Sequence, residues 1–371
     1  MSIQNEVMKF DEKSGIQFSN TPPSSWCVDP NFLEADLNIL KKHWQFVAST
    51  DQLETVGAYV TGDFCDEPYF IIRTDEGTLK AFYNVCKHHA AQLLNGEGCA
   101  KEIVCPYHAW TYDLDGALKK APQIAGIKSF DRQSLSLQEI PLKIWNKFVL
   151  LNFSGSSAEL DPQLELLNKM LKENGTDKLR FRERRVYEIK CNWKVYIDNY
   201  LDGGYHVGHL HKGLAGQLNM DNYTIKNFKT WTLQSCEGSL TPQETDSLDF
   251  KERIGKGALY AWMHPNFMIN QYGDIMDTNW VVPVGHDKCL TIFDYYFRED
   301  ADEAFASASI NASEQVQFED VAICESVQKG MKSRGYLSGR YAPTLETGEY
   351  LFHCLMKKDY LDELKTGSTQ G

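Results

Sequence analysis

The chain has 371 residues, 42% hydrophobic and 24% charged, with a formal net charge of -13. That length allows two or three domains, each with its own core, and the composition is that of a globular protein. The acidic excess argues against a nucleic-acid binder, whose affinity comes from neutralising phosphates with Lys and Arg, and no stretch approaches the roughly eighteen apolar residues of a membrane span. The ten Cys are scattered, which in a chain this large points to a reducing compartment and to thiols buried as small apolar groups rather than to disulfides. The start, MSIQNEVMKFDEK, has neither an apolar core nor Arg-rich amphipathic character, so it is read as neither a secretory nor a transit signal. The expected location is cytoplasmic, with a processed plastid form left open.

NTPPSSWCVDP at 20–30 is Pro and Ser punctuation, and NFLEADLNILKKHW after it predicts a short amphipathic helix. From Trp44 the period changes. WQFVAS, VGAYVTG, YFIIRT and LKAFYNVC are short β-branched and aromatic runs broken by turns such as Asp75-Glu76-Gly77, the pattern of antiparallel strands. WTYDLDGAL carries the hairpin signal Asp115-Gly116, and KFVLLNF is a further strand. A Ser-Gly-Ser-Ser loop from Ser154 and a helix in DPQLELLNKMLKEN mark a boundary. The expected organisation is an N-terminal helical segment over 1–40, a small β domain over 41–155 and a larger domain over 156–371. The last mixes long helical patterns with aromatic strands such as LTIFDYYFR.

Inside the β domain, CKHHAAQLLNGEGCAKEIVCPYH places Cys86 and His88 as C-x-H and Cys105 and His108 as C-x-x-H. Two thiolates and two imidazoles make a metal site. Zinc accepts the same set, but a zinc finger usually opens with C-x-x-C and closes with a separate His pair. Here each half supplies one sulfur and one nitrogen, as a Rieske [2Fe-2S] cluster needs for one Cys-held and one His-held iron. Gly96 and Gly98 suit a tight loop, and Pro106 stiffens the second ligand loop. C-x-H spacing favours His88 over the adjoining His89, which is read as a neighbour of the cluster.

A second constellation lies in NWKVYIDNYLDGGYHVGHLH. His206 and His211 are five apart, about 140° around an unbroken helix, so both reach one metal only if the helix is interrupted between them. Gly203, Gly204 and Gly208 favour an interruption. His209 is the rival, since His206 and His209 at i and i+3 share a helical face. A carboxylate to complete the set appears in ASEQVQFEDVAICESVQKGM, where Asp320 falls on an apolar stripe with Val316, Ile323, Cys324, Val327 and Met331. Glu319 sits at the edge of that stripe. Two His and one carboxylate form the facial triad of non-haem iron oxygenases.

With TPPSSW, NVCKHH, CPYHAWTYDLDGAL, NWKVYIDNYLDGGYHV, EDVAICESVQKG and SGRYAP, the chain resembles the Rieske non-haem iron oxygenase α subunits over about Thr21 to His353. Within that family it is most similar to the choline monooxygenase, quaternary-ammonium-oxidising group. The resemblance implies an α+β protein, with an antiparallel β Rieske domain joined to a helix-grip catalytic domain, assembled as a homotrimer. It implies a cluster on Cys86, His88, Cys105 and His108 and a mononuclear Fe(II) on His206, His211 and Asp320. It also implies that Asp202, four residues before the first iron His, bridges cluster and iron between subunits; many relatives have the acid three before, where this chain has Gly203. The expected activity is hydroxylation of a quaternary ammonium compound, with choline to betaine aldehyde hydrate as the leading reaction and dioxygen as co-substrate. Glycine betaine, carnitine and proline betaine are neighbouring substrate readings, and an electron-transfer protein without oxygenase activity is the reading from another class. No G-x-G-x-x-G fingerprint follows a strand, so a separate ferredoxin or NAD(P)H-dependent reductase supplies electrons. A trimethylammonium group is held by π faces, and the rings on offer include Tyr205, Trp262, Phe267, Tyr272, Trp280, Tyr295 and Tyr296.

Overall fold

A computed structural model describes residues 2–211, 220–237 and 257–367. The chain forms two compact units, one of residues 41–160 and one of residues 1–40 with 161–371. Before the first unit come α1 (Ile3–Val7), α2 (Ser25–Val28) and α3 (Asn31–Lys42). The last is the helix its amphipathic period predicts.

The first unit contains β1 (Gln45–Ser49), β2 (Ala58–Phe64), β3 (Glu67–Arg73), β4 (Leu79–Tyr83), β5 (Glu97–Cys99), β6 (Ile103–Val104), β7 (Thr111–Tyr112), β8 (Leu118–Lys120), β9 (Glu139–Ile140), β10 (Leu142–Trp145) and β11 (Phe148–Leu151). They make three antiparallel sheets, in the orders β5-β2-β3-β4-β9, β6-β7-β8 and β1-β11-β10. Phe70, Phe82, Ile103, Tyr112 and Leu118 form part of the core beneath the cysteines. The turn between β7 and β8 is built as its sequence requires: Asp113 Oδ1 accepts from the Asp115 and Ala117 amides, and Gly116 takes φ +83°. A Cβ at Gly116 would lie 2.5 Å from the Phe82 ring, so only glycine fits.

The second unit is built on a seven-stranded antiparallel sheet, in the order β12-β18-β17-β16-β15-β14-β13. After α4 (Leu164–Glu173) come β12 (Leu179–Ile189), α5 (Trp193–Leu201), α6 (Val207–Leu210), β13 (Thr224–Asn227), β14 (Trp231–Glu237), β15 (Gly257–Met263), β16 (Phe267–Tyr272), β17 (Ile275–Gly285) and β18 (Lys288–Arg298). Two long helices follow, α7 (Glu303–Met331) and α8 (Thr347–Gly367). Helix α7 packs Ala306 and Ile310 on Ile275, Phe293, Tyr295 and Phe297 of the sheet. The N-terminal segment is anchored by charge as well as by rings. Buried Asp36 accepts from Trp193 Nε1 at 3.0 Å, from Tyr360 and from Lys194, its ion-pair partner. A buried ion pair offsets its desolvation only with such extra hydrogen bonds.

One expectation about α7 is corrected. Of the stripe drawn around Asp320, Cys324 is buried, but Ile323 and Val327 are 38% and 39% exposed. The buried face mixes Ala306, Ile310, Ala312 and Cys324 with the polar Ser309, Ser313, Gln317 and Gln328. The reason lies in what the C-terminal half of the helix faces: Gln317 accepts from Tyr196 Oη at 2.6 Å and Gln328 from the Asn192 amide at 2.8 Å, so α5 and its cap offer polar partners there.

Candidate metal centres

Cys86 and Cys105 sit in two loops of matching geometry. In each the Cys carbonyl accepts from the amide four residues on, Ala90 or Ala109, and the Cys amide donates to the carbonyl five residues on, Ala91 or Trp110. Ala90 and Ala109 take φ of +58° and +57°, uncommon for a residue with a Cβ. Both thiols are buried, 2% exposed, while His88 and His108 lie at the surface with their Nδ1 atoms 3.1 Å apart. Two buried sulfurs and two convergent nitrogens fit a cluster with a protein-facing and a solvent-facing iron.

The rings are held from both sides. His88 stacks on Trp110, centroids 4.7 Å apart and planes 7° apart, and Tyr107 stacks on His108 at 3.7 Å. Tyr112 Oη accepts from the Lys87 amide at 3.1 Å and lies 3.5 Å from Cys86 Sγ, where a hydroxyl can tune a cluster sulfur. Desolvation, together with His89 and His108, holds the His88 imidazole below its ordinary range. His89 is exposed, its ring centroid 5.6 Å from that of His108. Gly96, at φ +67°, makes the turn expected of it; Gly98 lies within β5, opposite Tyr59. His108→Cys is expected to abolish the Rieske electron paramagnetic resonance signal and His89→Ala to keep it. A native signal in the first variant, or its loss in the second, would move the ligand role to His89.

The second centre is assembled from α5, the turn after it and α7. Asn192 caps α5 by accepting from the Lys194 amide at 3.0 Å, a contact whose loss typically costs about 1 kcal/mol. The helix ends at Leu201 because Gly203 and Gly204 both take φ +73°. The break thus precedes His206 rather than falling between the two His, and Gly208 lies inside the single turn α6. His206 stands at the start of that turn and His211 at its end, where ψ of 70° leaves the helical path. That exit lets residues five apart converge. His209 is exposed and is not part of the group that gathers around Asp320.

The Nε2 atoms of His206 and His211 lie 3.7 and 3.1 Å from Asp320 Oδ1, and ligand atoms of the three lie within 4.8 Å of one another. Each ring is aimed from behind. His206 Nδ1 meets Asp202 Oδ2 at 2.5 Å and His211 Nδ1 meets Glu319 Oε2 at 2.7 Å; Asn199 Nδ2 donates to Asp320 Oδ1 at 2.9 Å. Both His therefore present Nε2 to a common point, with carboxylates fixing tautomer and orientation. Burial pushes the His211 imidazole down, but Asp320 and Glu319 outweigh it and leave the ring above its ordinary range, so protons compete with a metal there in acid. His211→Ala is expected to lose the mononuclear iron and His209→Ala to keep it, as read by iron analysis; the reverse would mean that the turn is arranged differently.

Asp202 also accepts from the amides of Gly204, Tyr205 and His206, at 2.9, 3.2 and 3.0 Å. Within one chain it orders the turn and orients His206. The triad opens into a cavity of about 110 Å³ lined by Tyr196, Tyr200, Tyr223, Tyr260, Tyr272 and Phe293, among others. Of the rings offered by the sequence, only Tyr272 is on this wall; Trp262, Phe267, Trp280, Tyr295 and Tyr296 are core, and Tyr205 is 62% exposed. Tyr196, Asn199 and Tyr200 were legible in principle, since i, i+3 and i+4 share a face of α5. Burial pushes the hydroxyls of Tyr200, Tyr223 and Tyr260 well above their ordinary range, so these rings stay neutral. Among the described residues that line the cavity there is no Lys or Arg, while Asp277, Asn270, Asn279 and Gln234 supply polarity.

Two family models match the chain, a Rieske [2Fe-2S] domain over residues 43–131 and a ring hydroxylating alpha subunit catalytic domain over 176–361. The chloroplastic choline monooxygenase of Arabidopsis thaliana is 40% identical over 368 residues, covering 95% of this chain and 86% of that protein. The carnitine monooxygenase oxygenase subunit of Escherichia coli strain K12 is 33% identical over 323 residues, covering 85% of each. A solved quaternary ammonium Rieske monooxygenase, described for carnitine oxidation and inter-subunit electron transfer, superposes with a TM-score of 0.86 at 29% identity, over 94% of this chain and 97% of that one.

Proposed function

The chain belongs to the Rieske oxygenase α-subunit family, and from that premise we propose that it is a choline monooxygenase, converting choline to betaine aldehyde hydrate. The family places it among oxygenases of quaternary ammonium compounds that use a Rieske [2Fe-2S] cluster, a mononuclear iron and dioxygen. The observation that carries the choice of substrate is the described wall of the cavity beside the triad, aromatic and without a Lys or Arg. A trimethylammonium group cannot donate a hydrogen bond, and π faces attract it by about 0.5–2 kcal/mol each. Carnitine and the betaines also carry a carboxylate, whose burial without a cationic partner is costly.

In this reading the bound metals supply dioxygen activation and single electrons, and the chain supplies position. Asp202, Glu319 and Asn199 hold the three iron ligands, Cys86, His88, Cys105 and His108 hold the cluster, and the tyrosine wall seats the cation and keeps water from it. We assign Asp202 a second role, as a bridge to the cluster of a neighbouring subunit in a homotrimer, supported by the inter-subunit transfer described for the superposable relative. Electrons come from an external ferredoxin or reductase. Among the described residues no helix is long and apolar enough to cross a membrane.

The test is substrate-dependent oxygen uptake with a generic reductase, comparing choline, glycine betaine, carnitine and proline betaine. Choline is expected to drive uptake with formation of the aldehyde, at least tenfold faster than the carboxylated compounds, since about 1.4 kcal/mol of discrimination gives that ratio. Uptake with carnitine or a betaine in preference to choline would transfer the assignment to that compound.

A further inference from the structure

Away from the triad, Asp198 of α5 faces Glu349 and His353 of α8. The last two are four residues apart and share one helical face; they are only 9% and 4% exposed. We propose that Asp198, Glu349 and His353 bind a second, structural divalent cation in the catalytic unit, one of the first-row ions that accept mixed carboxylate and imidazole ligands.

The first support is ligand geometry repeated from the triad. His353 Nε2 lies 3.1 Å from Asp198 Oδ1, the separation found between His211 Nε2 and Asp320 Oδ1. Asp198 Oδ1 is shielded from solvent and has no hydrogen-bond partner, so the short contact is not an aligned hydrogen bond. Two atoms pointing at a common third position produce this relation. A ligand atom of each residue lies within 4.8 Å of the others.

The second support is what stands behind the ring. His353 Nδ1 meets Tyr341 Oη at 2.7 Å, leaving Nε2 turned toward Asp198 Oδ1, as a metal-ligating His requires. The third is Glu349, nine-tenths buried and facing a cavity of about 60 Å³ that Asp198 and His353 also line. Its nearest charged partner in the cluster, His353 Nδ1, is 4.0 Å away, beyond hydrogen-bond range. A cavity of this size has room for water to complete a coordination shell. Lys194 lines the same space, but its charge is offset by Asp36. Cys27, also on the wall, stays a thiol, because burial pushes it up to about 12.

Such an ion would tie α8 to the helix that carries Asn199 and leads into Asp202 and His206. Protons are the competing occupants, since burial, then Asp198 and Glu346, hold the Glu349 carboxyl well above its ordinary range. The test uses iron-loaded holoenzyme with its cluster intact, titrated with Mn2+ while free Mn2+ is followed by electron paramagnetic resonance. A single tight Mn2+ per chain is expected with no release of iron, and a rise of a few degrees in the unfolding midpoint. Glu349→Gln and, separately, His353→Gln are expected to lose both effects while keeping the cluster signal and the mononuclear iron. Absence of tight Mn2+ in the wild type, retention in both variants, or uptake matched by iron release would each overturn the site, the last by placing Mn2+ in the triad. None of these readouts depends on which substrate the enzyme oxidises.

Discussion

Asp320→Ala is expected to lose the mononuclear iron and all measurable turnover while the Rieske spectrum stays unchanged, iron analysis falling from about three to about two per chain. Asp320 Oδ1 is the oxygen toward which both Nε2 atoms point, and Asn199 fixes it from α5 at 2.9 Å. Glu319 cannot take over. Its Oε2 is engaged by His211 Nδ1 at 2.7 Å and its Oε1 by Gln315 at 3.0 Å, so turning it inward would release the ring it orients. Two His without a carboxylate leave a weak and cationic site. Full iron content in Asp320→Ala would show that Glu319 does rotate in. Glu319→Gln offers a contrast: with the ring oriented less firmly, metal affinity should fall roughly 10–100-fold, a loss that added Fe(II) repairs.

Asp202→Asn should separate iron binding from electron supply. An Asn oxygen can still accept from the Gly204 and Tyr205 amides, which Asp202 Oδ1 serves at 2.9 and 3.2 Å, so the turn is expected to persist. The other position becomes an amide nitrogen and no longer accepts from His206. Iron affinity should therefore weaken by the 10–100-fold typical of such supporting contacts and recover with excess Fe(II). If Asp202 has the bridging role proposed for it, turnover should not recover, because a neutral amide would break the link from the His206 ring to a neighbouring subunit's cluster. The decisive measurement starts from a chemically reduced cluster in iron-replete protein and follows its reoxidation with substrate and oxygen. Wild type should reoxidise within turnover time and Asp202→Asn at least a hundredfold more slowly. Reoxidation at the wild-type rate would reduce Asp202 to its local task of ordering the turn.

Residue types and their spacing were enough to limit the chemistry that is possible. Residue types and short spacings fix which donors a loop can offer, so C-x-H with C-x-x-H pointed to a mixed sulfur and nitrogen cluster, and the Gly-rich His segment with a helical Asp pointed to a facial triad. Alternating apolar runs and the Asp115-Gly116 turn likewise marked the strands, because pleat and hairpin geometry are local. Which of several eligible side chains meet was decided only by tertiary structure. His211 and not His209 faces Asp320 because the chain leaves the helical path at His211, a backbone event that spacing does not encode. Glu319, beside Asp320 in sequence, turns to the back of His211 because adjacent residues on a helix point about 100° apart. The aromatic wall drew on α5, β15, β16 and β18, so the rings that the sequence offered most visibly went largely to the core. Asp198, Glu349 and His353 left no sequence signal at all, since the convergence of α5 and α8 is set by packing around buried Asp36, Trp193 and Tyr360.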